Sequence, residues 1–509
     1  MLDQQGSPAI NTRVSSSNKP PINVMKWALG CAGVGMMLCT GAIMFSLIVA
    51  PALFRSLDSD LQFRIVRRFP FLASLQDRPT PPFKALPAVG ATSANALALL
   101  STPVNTPTAS STRTSTPAGD NSSAGMPPVQ PSGTGRSVLS TDTPVAAGVI
   151  ASPTEVFAPQ PTATLVPTRV EPPTATAVPL PVSFHATGYK WVPQTWNNCG
   201  PANLTQALEP FGWQQDQKVA AAFLKPNKED KNVSPWQMVE FVNQKTNLKA
   251  LMRVAGDLPL IKRLITQRFS VILETGYNVA NEGWMGHYLT VIGYDDNLRV
   301  FYGLDTYLGA DADNQGYKEP VDDLDERWQQ FNRLYMVIYP KEREGELAAI
   351  LGPDADLTYN AQHALSVARA EATYKPNNQF AWFNMGSSYT LLGQYKEAAT
   401  AFDQASSVGG GLPFRMLWYQ FGPYEAYYNV GNYANVMALV NATLQTTTYV
   451  EETYYWRGMV SAAQGNKDKA IEDFKRVLQF NPNFLPAAEK LSEVQAGNFK
   501  APAIAQANQ

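Results

Sequence analysis

The sequence Trp196-Asn-Asn-Cys199-Gly-Pro-Ala202 places a cysteine at the start of a predicted helix. Pro201 is well tolerated in a first helical turn, because the N–H group that proline lacks would have no helical partner there. The Cys199 thiol would then face unpaired backbone N–H groups and the positive end of the helix dipole, and both favour the thiolate. This position indicates a nucleophile, with a small buried hydrophobic side chain as the alternative that position alone leaves open.

Cysteine count and net charge exclude several kinds of site. The other two cysteines, Cys31 and Cys39, lie in an apolar run, so Cys199 has no soluble partner for an intramolecular disulfide. The net charge of −2 provides no basic patch and argues against a nucleic-acid partner. The chain has no His/Cys cluster for zinc, and the stretch 311–322 is predicted as an acidic surface loop rather than a calcium site. We predict no cofactor and no metal.

The apolar run from Trp27 to Ala50 carries no ionisable side chain other than thiols. With more than roughly 20 residues, it is long enough to cross the roughly 30 Å hydrocarbon core of a bilayer as a helix. We therefore predict a cytoplasmic tail at 1–26 and a transmembrane helix at 27–53. A cleaved signal peptide is the alternative, because a basic segment precedes the run and a short alanine-containing sequence follows it.

Residues 54–182 are predicted to form a juxtamembrane segment and a disordered stalk. Most of this stretch is rich in Pro, Thr, Ser and Ala with few aromatic residues, as in Ser101-Thr-Pro-Val-Asn-Thr-Pro-Thr108. Such a composition cannot bury a core and favours an extended tether. It is typical of stalks on the outer side of a membrane, so we predict a single-pass cell-membrane protein with extracytoplasmic C-terminal domains. A cytoplasmic linker would have the same composition.

His287 is the histidine that falls in a predicted strand. Residues 286–294 alternate as a strand, and the chain turns near Asp296 and returns toward Asp305. A loop centred on Asp296 would place His287 directly opposite Asp305, with their Cβ atoms about 4.5–5.5 Å apart. A two-residue loop would place Thr306 opposite instead. The hairpin thus predicts a carboxylate that orients an imidazole, with a half-exposed histidine near an acid as the alternative.

These residues together resemble the C39-like branch of the papain-like cysteine peptidases, over roughly residues 189–339. The elements that carry the resemblance are Gln194-x4-Cys199-Gly-Pro-Ala, the Ser234-Pro-Trp helix start, the Phe269-Ser-Val-Ile-Leu-Glu strand, Gly286-His287-Tyr-Leu-Thr-Val-Ile-Gly-Tyr294 and Leu304-Asp305. The resemblance implies that the nucleophile is Cys199, the general base His287, the orienting residue Asp305 and the oxyanion donor Gln194. The family often has Asp-Pro where this chain has Asp305-Thr306, which is expected to loosen that loop.

The C-terminal part repeats at helical spacing. Residues 382–405 match the tetratricopeptide pattern, with small residues where two helices approach and aromatic residues between them. The same phase returns at 454–482 and more loosely at 427–436, and an earlier unit ends near 376. Repeats of this kind resemble modules that dock a peptide or protein partner. The alternative for their many tyrosines is that most are core.

The predicted architecture is an α+β papain-like domain at 183–341 followed by an all-α tetratricopeptide superhelix at 342–497 and a disordered tail at 498–509. The predicted function is a membrane-anchored cysteine peptidase that hydrolyses peptide bonds and uses the repeats to dock a substrate or partner. One alternative is a non-catalytic papain-like scaffold that binds peptides and works through its repeats. Acyl transfer to an amine would use the same residues.

Overall fold

The structure is a computed structural model that describes residues 49–75, 93–101, 179–279, 283–310 and 315–503. Most of the predicted transmembrane helix and most of the predicted stalk lie outside these residues. Within the described ranges, no helix is both long enough and apolar enough to cross a membrane. The described helices and strands all belong to one compact unit of the chain.

Three short helices precede the main body: α1 (Ala50–Ser56), α2 (Ser59–Arg68) and α3 (Ser93–Ser101). The last of these corrects the prediction of an extended tether at that point. Its sequence is rich in alanine and leucine, which favour helix. Its Ala96 and Leu99 are buried and pack with the core of the C-terminal helices.

The central element is an antiparallel sheet of seven strands. The strands are β1 (Ser183–His185), β2 (Leu248–Arg253), β3 (Ser270–Val279), β4 (Gly283–Asp295), β5 (Val300–Asp305), β6 (Tyr317–Pro320) and β7 (Tyr335–Pro340). Their order is β2-β7-β3-β4-β5-β6, and β1 pairs with the end of β4. His185 therefore also lies in a strand, so the prediction that only His287 does so was wrong.

Helices cover both faces of this sheet. They are α4 (Cys199–Leu208), α5 (Gln217–Leu224), α6 (Pro235–Lys245), α7 (Leu258–Thr266) and α8 (Val321–Gln329). On β3, Ile272 packs with the core of α4 and α6, whereas its neighbour Val271 packs with the core of α7 and α8. Burial on both faces explains why the strand reads as a nearly continuous apolar run. The helix α6 begins as the sequence predicts, at a capping box between Ser234 and Gln237.

The hairpin of β4 and β5 has a different register from the predicted one. The strands are joined by a four-residue turn over 296–299, and the pairing shifts between Val291 and Gly293, as at a β-bulge. Asp305 consequently lies opposite Leu289 rather than opposite His287. The displacement is two residues, which preserves the sheet face, so His287 and Asp305 remain diagonal neighbours.

The C-terminal part is helical. Its helices are α9 (Glu344–Leu351), α10 (Leu357–Tyr374), α11 (Gln379–Leu391), α12 (Tyr395–Ser407), α13 (Met416–Tyr419), α14 (Gly422–Asn429), α15 (Tyr433–Thr446), α16 (Glu451–Ala463), α17 (Lys467–Phe480) and α18 (Leu485–Ala496). The predicted repeats correspond to the consecutive pairs α11/α12, α14/α15 and α16/α17. Tyr424, Tyr427, Tyr428 and Tyr454 are buried, which confirms that these tyrosines are core.

The replacement Gly386→Ala is expected to destabilise the protein by about 1–3 kcal/mol, the usual cost of overpacking a core. A Cβ atom at this position in α11 would lie 2.6 Å from two ring carbons of Phe402 on α12. The free energy of unfolding in urea measures the effect. Gly345→Ala in α9 is the matched control, because a Cβ atom there meets nothing within 4 Å. Equal stability of the two variants would contradict the close approach of α11 and α12.

The helical region packs against the sheet region along a boundary that we call the seam. The Asn384 side chain on α11 donates to the Gln329 carbonyl at 2.7 Å. On α16, the Glu451 carboxyl accepts from Gln237 and from Asn481, each at 3.0 Å. Burial raises the pKa of Glu451 well above its usual range. The first helices of two repeat pairs thus contact the chain's own sheet region.

Candidate active site

Cys199 is the first residue of α4, as the sequence predicts. The preceding Asn198 does not cap the helix, because its side-chain amide turns back to donate to the Thr195 hydroxyl at 2.8 Å. Asn197 adopts a left-handed backbone with φ of 52°, which makes the turn into the helix sharp. Cys199 is half-buried and its thiol is free. The first-turn N–H groups of α4 therefore donate no hydrogen bond to the Asn198 side chain.

The imidazole of His287 is held by Asp305. Its Nε2 atom lies 3.1 Å from Asp305 Oδ1, and both side chains are buried. The backbone N–H groups of Tyr307 and Leu308 each donate to the same carboxylate oxygen at 2.7 Å. The other ring nitrogen, Nδ1, is then the one available to the Cys199 side chain, which raises the pKa of His287. The structure therefore brings the three predicted residues together.

His287 and Asp305 each shift the pKa of the other. Burial alone would lower the pKa of His287, but the Asp305 carboxylate and the Cys199 side chain raise it to about 10. Burial alone would raise the pKa of Asp305, whereas the charge of His287 and the hydrogen bonds to the carboxylate lower it. At neutral pH the imidazole is therefore protonated and the carboxylate is ionised. A cation therefore lies beside Cys199.

Gln194 is fixed by Thr306. The Thr306 hydroxyl donates to Gln194 Oε1 at 2.8 Å, and the Gln194 backbone N–H donates to the Thr306 carbonyl at 3.0 Å. Because the amide oxygen of Gln194 accepts this hydrogen bond, the amide NH2 is the group that could donate a hydrogen bond to an oxyanion. The prediction that the departure from Asp-Pro loosens this loop was wrong, because Thr306 is fully buried and ties the loop to Gln194.

Two buried amides on α4 were missed in the sequence. Asn203 Nδ2 donates to the Tyr288 carbonyl at 2.8 Å, and Gln206 Nε2 donates to the Leu304 carbonyl at 2.7 Å. Both residues are fully buried. They attach the helix that carries Cys199 to the strands that carry the other two residues. Two amides in the apolar helix after the cysteine are the signal that would have found them.

Lys225 anchors the loop before Cys199. Its ammonium donates to the carbonyls of Asn197, Lys228 and Asp230 at 3.1, 3.2 and 3.0 Å. Burial lowers the pKa of Lys225 to about 8, although the nearby Asp230 opposes the shift. Nothing in the local sequence Phe223-Leu-Lys225-Pro distinguishes this lysine from a solvated one.

Glu274 on β3 is a second buried group beside the thiol. It is 2% exposed, it lies opposite Tyr288 in the sheet, and its Oε1 atom has no hydrogen-bond partner among the described residues. Burial raises the pKa of its carboxyl well above the usual range, and a charge on Cys199 raises it further. Glu274 is therefore a buried carboxyl near Cys199 whose ionisation is disfavoured. A glutamate directly after the apolar run Val271–Leu273 is the sequence signal for it.

Models of two different kinds of known family match two different parts of the chain. The model of the Peptidase_C39-like family matches residues 186–336, and tetratricopeptide-repeat models match residues 381–408 and 451–484. The chain carries a C39-like peptidase domain followed by tetratricopeptide repeats. All four predicted site residues lie inside the C39-like match. The looser repeat unit at 427–436 stays a prediction. No curated protein matches the chain.

Three solved structures are similar to the C39-like domain. The peptidase domain of Streptococcus ComA, a bifunctional ABC transporter involved in quorum sensing, is 16% identical, with 30% of this chain and 99% of that chain covered and a TM-score of 0.24. A C39-like peptidase from Bacillus anthracis is 14% identical, with 31% and 96% covered and a TM-score of 0.25. A double-glycine-motif protease from an AMS/PCAT transporter, in complex with leader peptide, is 14% identical, with 31% and 94% covered and a TM-score of 0.24.

The described residues contain no group of three or more His, Cys, Asp or Glu side chains that could hold a metal ion. The acidic loop predicted at 311–322 lies partly outside the described residues, since 311–314 are not among them. Its described end includes Tyr317–Pro320, which forms β6.

Proposed function

We propose that this protein is a cysteine peptidase that hydrolyses peptide bonds in a peptide or protein substrate. The observation that supports the proposal is that the His287 imidazole is held by the buried Asp305 carboxylate and also interacts with the Cys199 side chain. A nucleophile, a base and a group that orients the base are the parts of a covalent acyl-transfer site. The match to a peptidase family makes a peptide the class of substrate that fits best.

The proposed reaction has two stages. The Cys199 thiolate attacks the carbonyl carbon of the scissile bond, and the amide NH2 of Gln194 with the Cys199 backbone N–H stabilises the oxyanion. Protonated His287 then donates its proton to the leaving amine, which departs and leaves a thioester. Neutral His287 next takes a proton from water, and the hydroxide attacks the thioester. The acid product leaves, and the thiolate and the imidazolium are restored.

The arrangement of the whole chain is part of the same proposal. The N-terminal apolar run would anchor the protein in the cell membrane, with the peptidase domain and the repeats outside. The repeats would hold a protein partner or substrate on surfaces that the seam leaves uncovered. Extraction of membranes with alkaline carbonate tests the anchor, because a chain with one spanning helix stays in the membrane pellet.

Labelling of Cys199 with iodoacetamide across pH tests the site in the full chain. A free cysteine has a pKa of about 8.5, so its labelling is slow near pH 6. The His287 pKa of about 10 keeps the imidazolium present there, and we expect fast labelling of Cys199. His287→Ala should slow the labelling at pH 6 by roughly tenfold or more, because thiolate fraction controls the rate. Mass spectrometry of the peptide that contains Cys199 separates its rate from those of Cys31 and Cys39.

The control for this experiment is His363→Ala, since His363 lies in α10 and bonds to Asp354 instead. It should leave the Cys199 rate unchanged. If Cys199 labels slowly near pH 6 in the parent, and at the same rate in His287→Ala, the peptidase proposal fails. That result would favour the non-catalytic scaffold in which the domain only binds peptides.

A further inference from the structure

One edge of β4 is open next to the candidate nucleophile. The neighbouring strand β5 ends at Asp305, opposite Leu289. Residues 284–288 of β4 therefore pair only with β3 among the described strands. Backbone N–H and C=O groups on such an edge need other partners. This edge immediately precedes and includes His287, so whatever covers it also borders the site.

The partners come from the helical region, more than a hundred residues later in the chain. Arg415 Nη1 donates to the Trp284 carbonyl at 3.1 Å, in a buried contact. The ring of Tyr419 lies against the backbone of Gly286. Both side chains flank or lie in the short helix α13. The repeat region thus occupies the edge along which an extended peptide would otherwise add as a strand.

The ring of Tyr419 lies directly on Gly286. A Cβ atom at Gly286 would lie 2.9 Å from two of the ring carbons, so only glycine permits this contact. The ring also packs edge-on against Trp284 and Phe331, with centroid separations of 5.9 and 6.2 Å. Contacts on three sides hold the ring in one place beside His287. The position of the ring is therefore fixed by packing.

Tyr419 and Cys199 also interact electrostatically. Burial raises the pKa of Tyr419, and a negative charge on Cys199 raises it further. Cys199 itself is half-buried and so keeps some contact with solvent. The ring of Tyr419 thus borders the site through Gly286, the residue before His287.

We propose that Tyr419 is a specificity-determining residue of the Cys199 site, and that its ring limits the size of the group that can reach the thiol. The peptidase domain alone would not set this limit, because the ring belongs to the helical region. The inference rests on the proposed function, since it assigns the limit to the peptide side chains beside the scissile bond. It also applies to any electrophile that must pass the ring.

Two maleimides of different size test this assignment in the full chain. N-ethylmaleimide and N-(1-pyrenyl)maleimide share one reaction and differ in bulk, and the ratio of their rates at Cys199 is measured by mass spectrometry. In Tyr419→Ala the rate with the bulky reagent, relative to the small one, should rise by about tenfold or more, the scale on which pockets discriminate by size. Tyr419→Phe keeps the ring and should keep the parent ratio. Tyr374→Ala is the matched control, because Tyr374 is 82% exposed.

An unchanged ratio in a folded Tyr419→Ala variant would overturn the proposal. If thermal melting shows that this variant does not fold, Tyr419→Leu replaces it, because leucine fills the space over Gly286 but removes the outer part of the ring. The ratio compares two reagents on one thiol and does not require turnover. A changed ratio without peptide hydrolysis would contradict only the proposed peptidase function. Hydrolysis with an unchanged ratio would contradict only the proposed role of Tyr419.

Discussion

The replacement Cys199→Ala is expected to abolish peptide hydrolysis, with a loss of roughly 10,000-fold or more, as is typical when a nucleophile is removed. Without the sulfur no thioester forms, and the Gln194 amide and protonated His287 have no intermediate to stabilise. The measurement incubates the full chain with a proteolytic digest of a cell extract and identifies new peptide termini by mass spectrometry. A synthetic peptide that contains the preferred site then gives the rate for each variant.

Two further variants make this result specific. The double replacement of Cys31 and Cys39 by serine should keep the parent rate, because neither residue lies near the site in sequence or falls in the peptidase match.

Asp305→Asn should move the alkaline limit of activity to lower pH. The reason is that loss of the carboxylate lowers the His287 pKa from about 10, so the proton for the leaving amine is lost earlier as pH rises. Hydrolysis that survives in Cys199→Ala would rule out this mechanism.

The replacement Lys225→Met is expected to have the second largest effect. It removes the donor of three hydrogen bonds, of which the one to the Asp230 carbonyl is buried and the other two are part-buried. Because an unsatisfied buried group costs about 1–3 kcal/mol, we expect the free energy of unfolding in urea to fall by about 1–3 kcal/mol. Because one of the carbonyls belongs to Asn197, the loop before Cys199 should also lose its fixed position.

The kinetic part of this prediction separates a local effect from general instability. At a temperature where Lys225→Met is fully folded, hydrolysis should still fall, since the nucleophile is no longer held in register with His287. Lys218→Met is the matched control, because Lys218 lies exposed on α5, the helix that Lys225 directly follows, and should change neither property. A Lys225→Met protein as stable and as active as the control would show that the three hydrogen bonds contribute nothing.

The local signal at Cys199 was read correctly. The start of α4 follows from Cys-Gly-Pro, because Pro201 suits the first turn of a helix. The contact between His287 and Asp305 was also predicted, although the predicted register was wrong by two residues. That error was harmless because strand side chains alternate with a period of two. A shift of one residue would have turned Asp305 to the other face.

What the sequence did not reveal is contact between distant segments. Lys225 looks like an ordinary surface lysine, and only the fold brings three carbonyls to it. Thr306 looks like a departure from the family, yet it holds Gln194 across the site. Tyr419 lies in a stretch between repeats, and no local pattern connects it with Gly286. Periodicity reports which face of an element is buried, not which distant residue it meets.

The hydrogen bond from Arg415 and the ring of Tyr419 also cover the edge of β4 that β5 leaves unpaired. A strand edge with free N–H and C=O groups is a template on which another chain can pair, and natural proteins cover or charge such edges. A chain shortened after Pro340 would lose both side chains and would expose Trp284 and Phe331 beside the open edge of β4. The exposed edge of such a fragment could then pair with another chain. The repeats therefore complete the cover of the peptidase domain's own sheet.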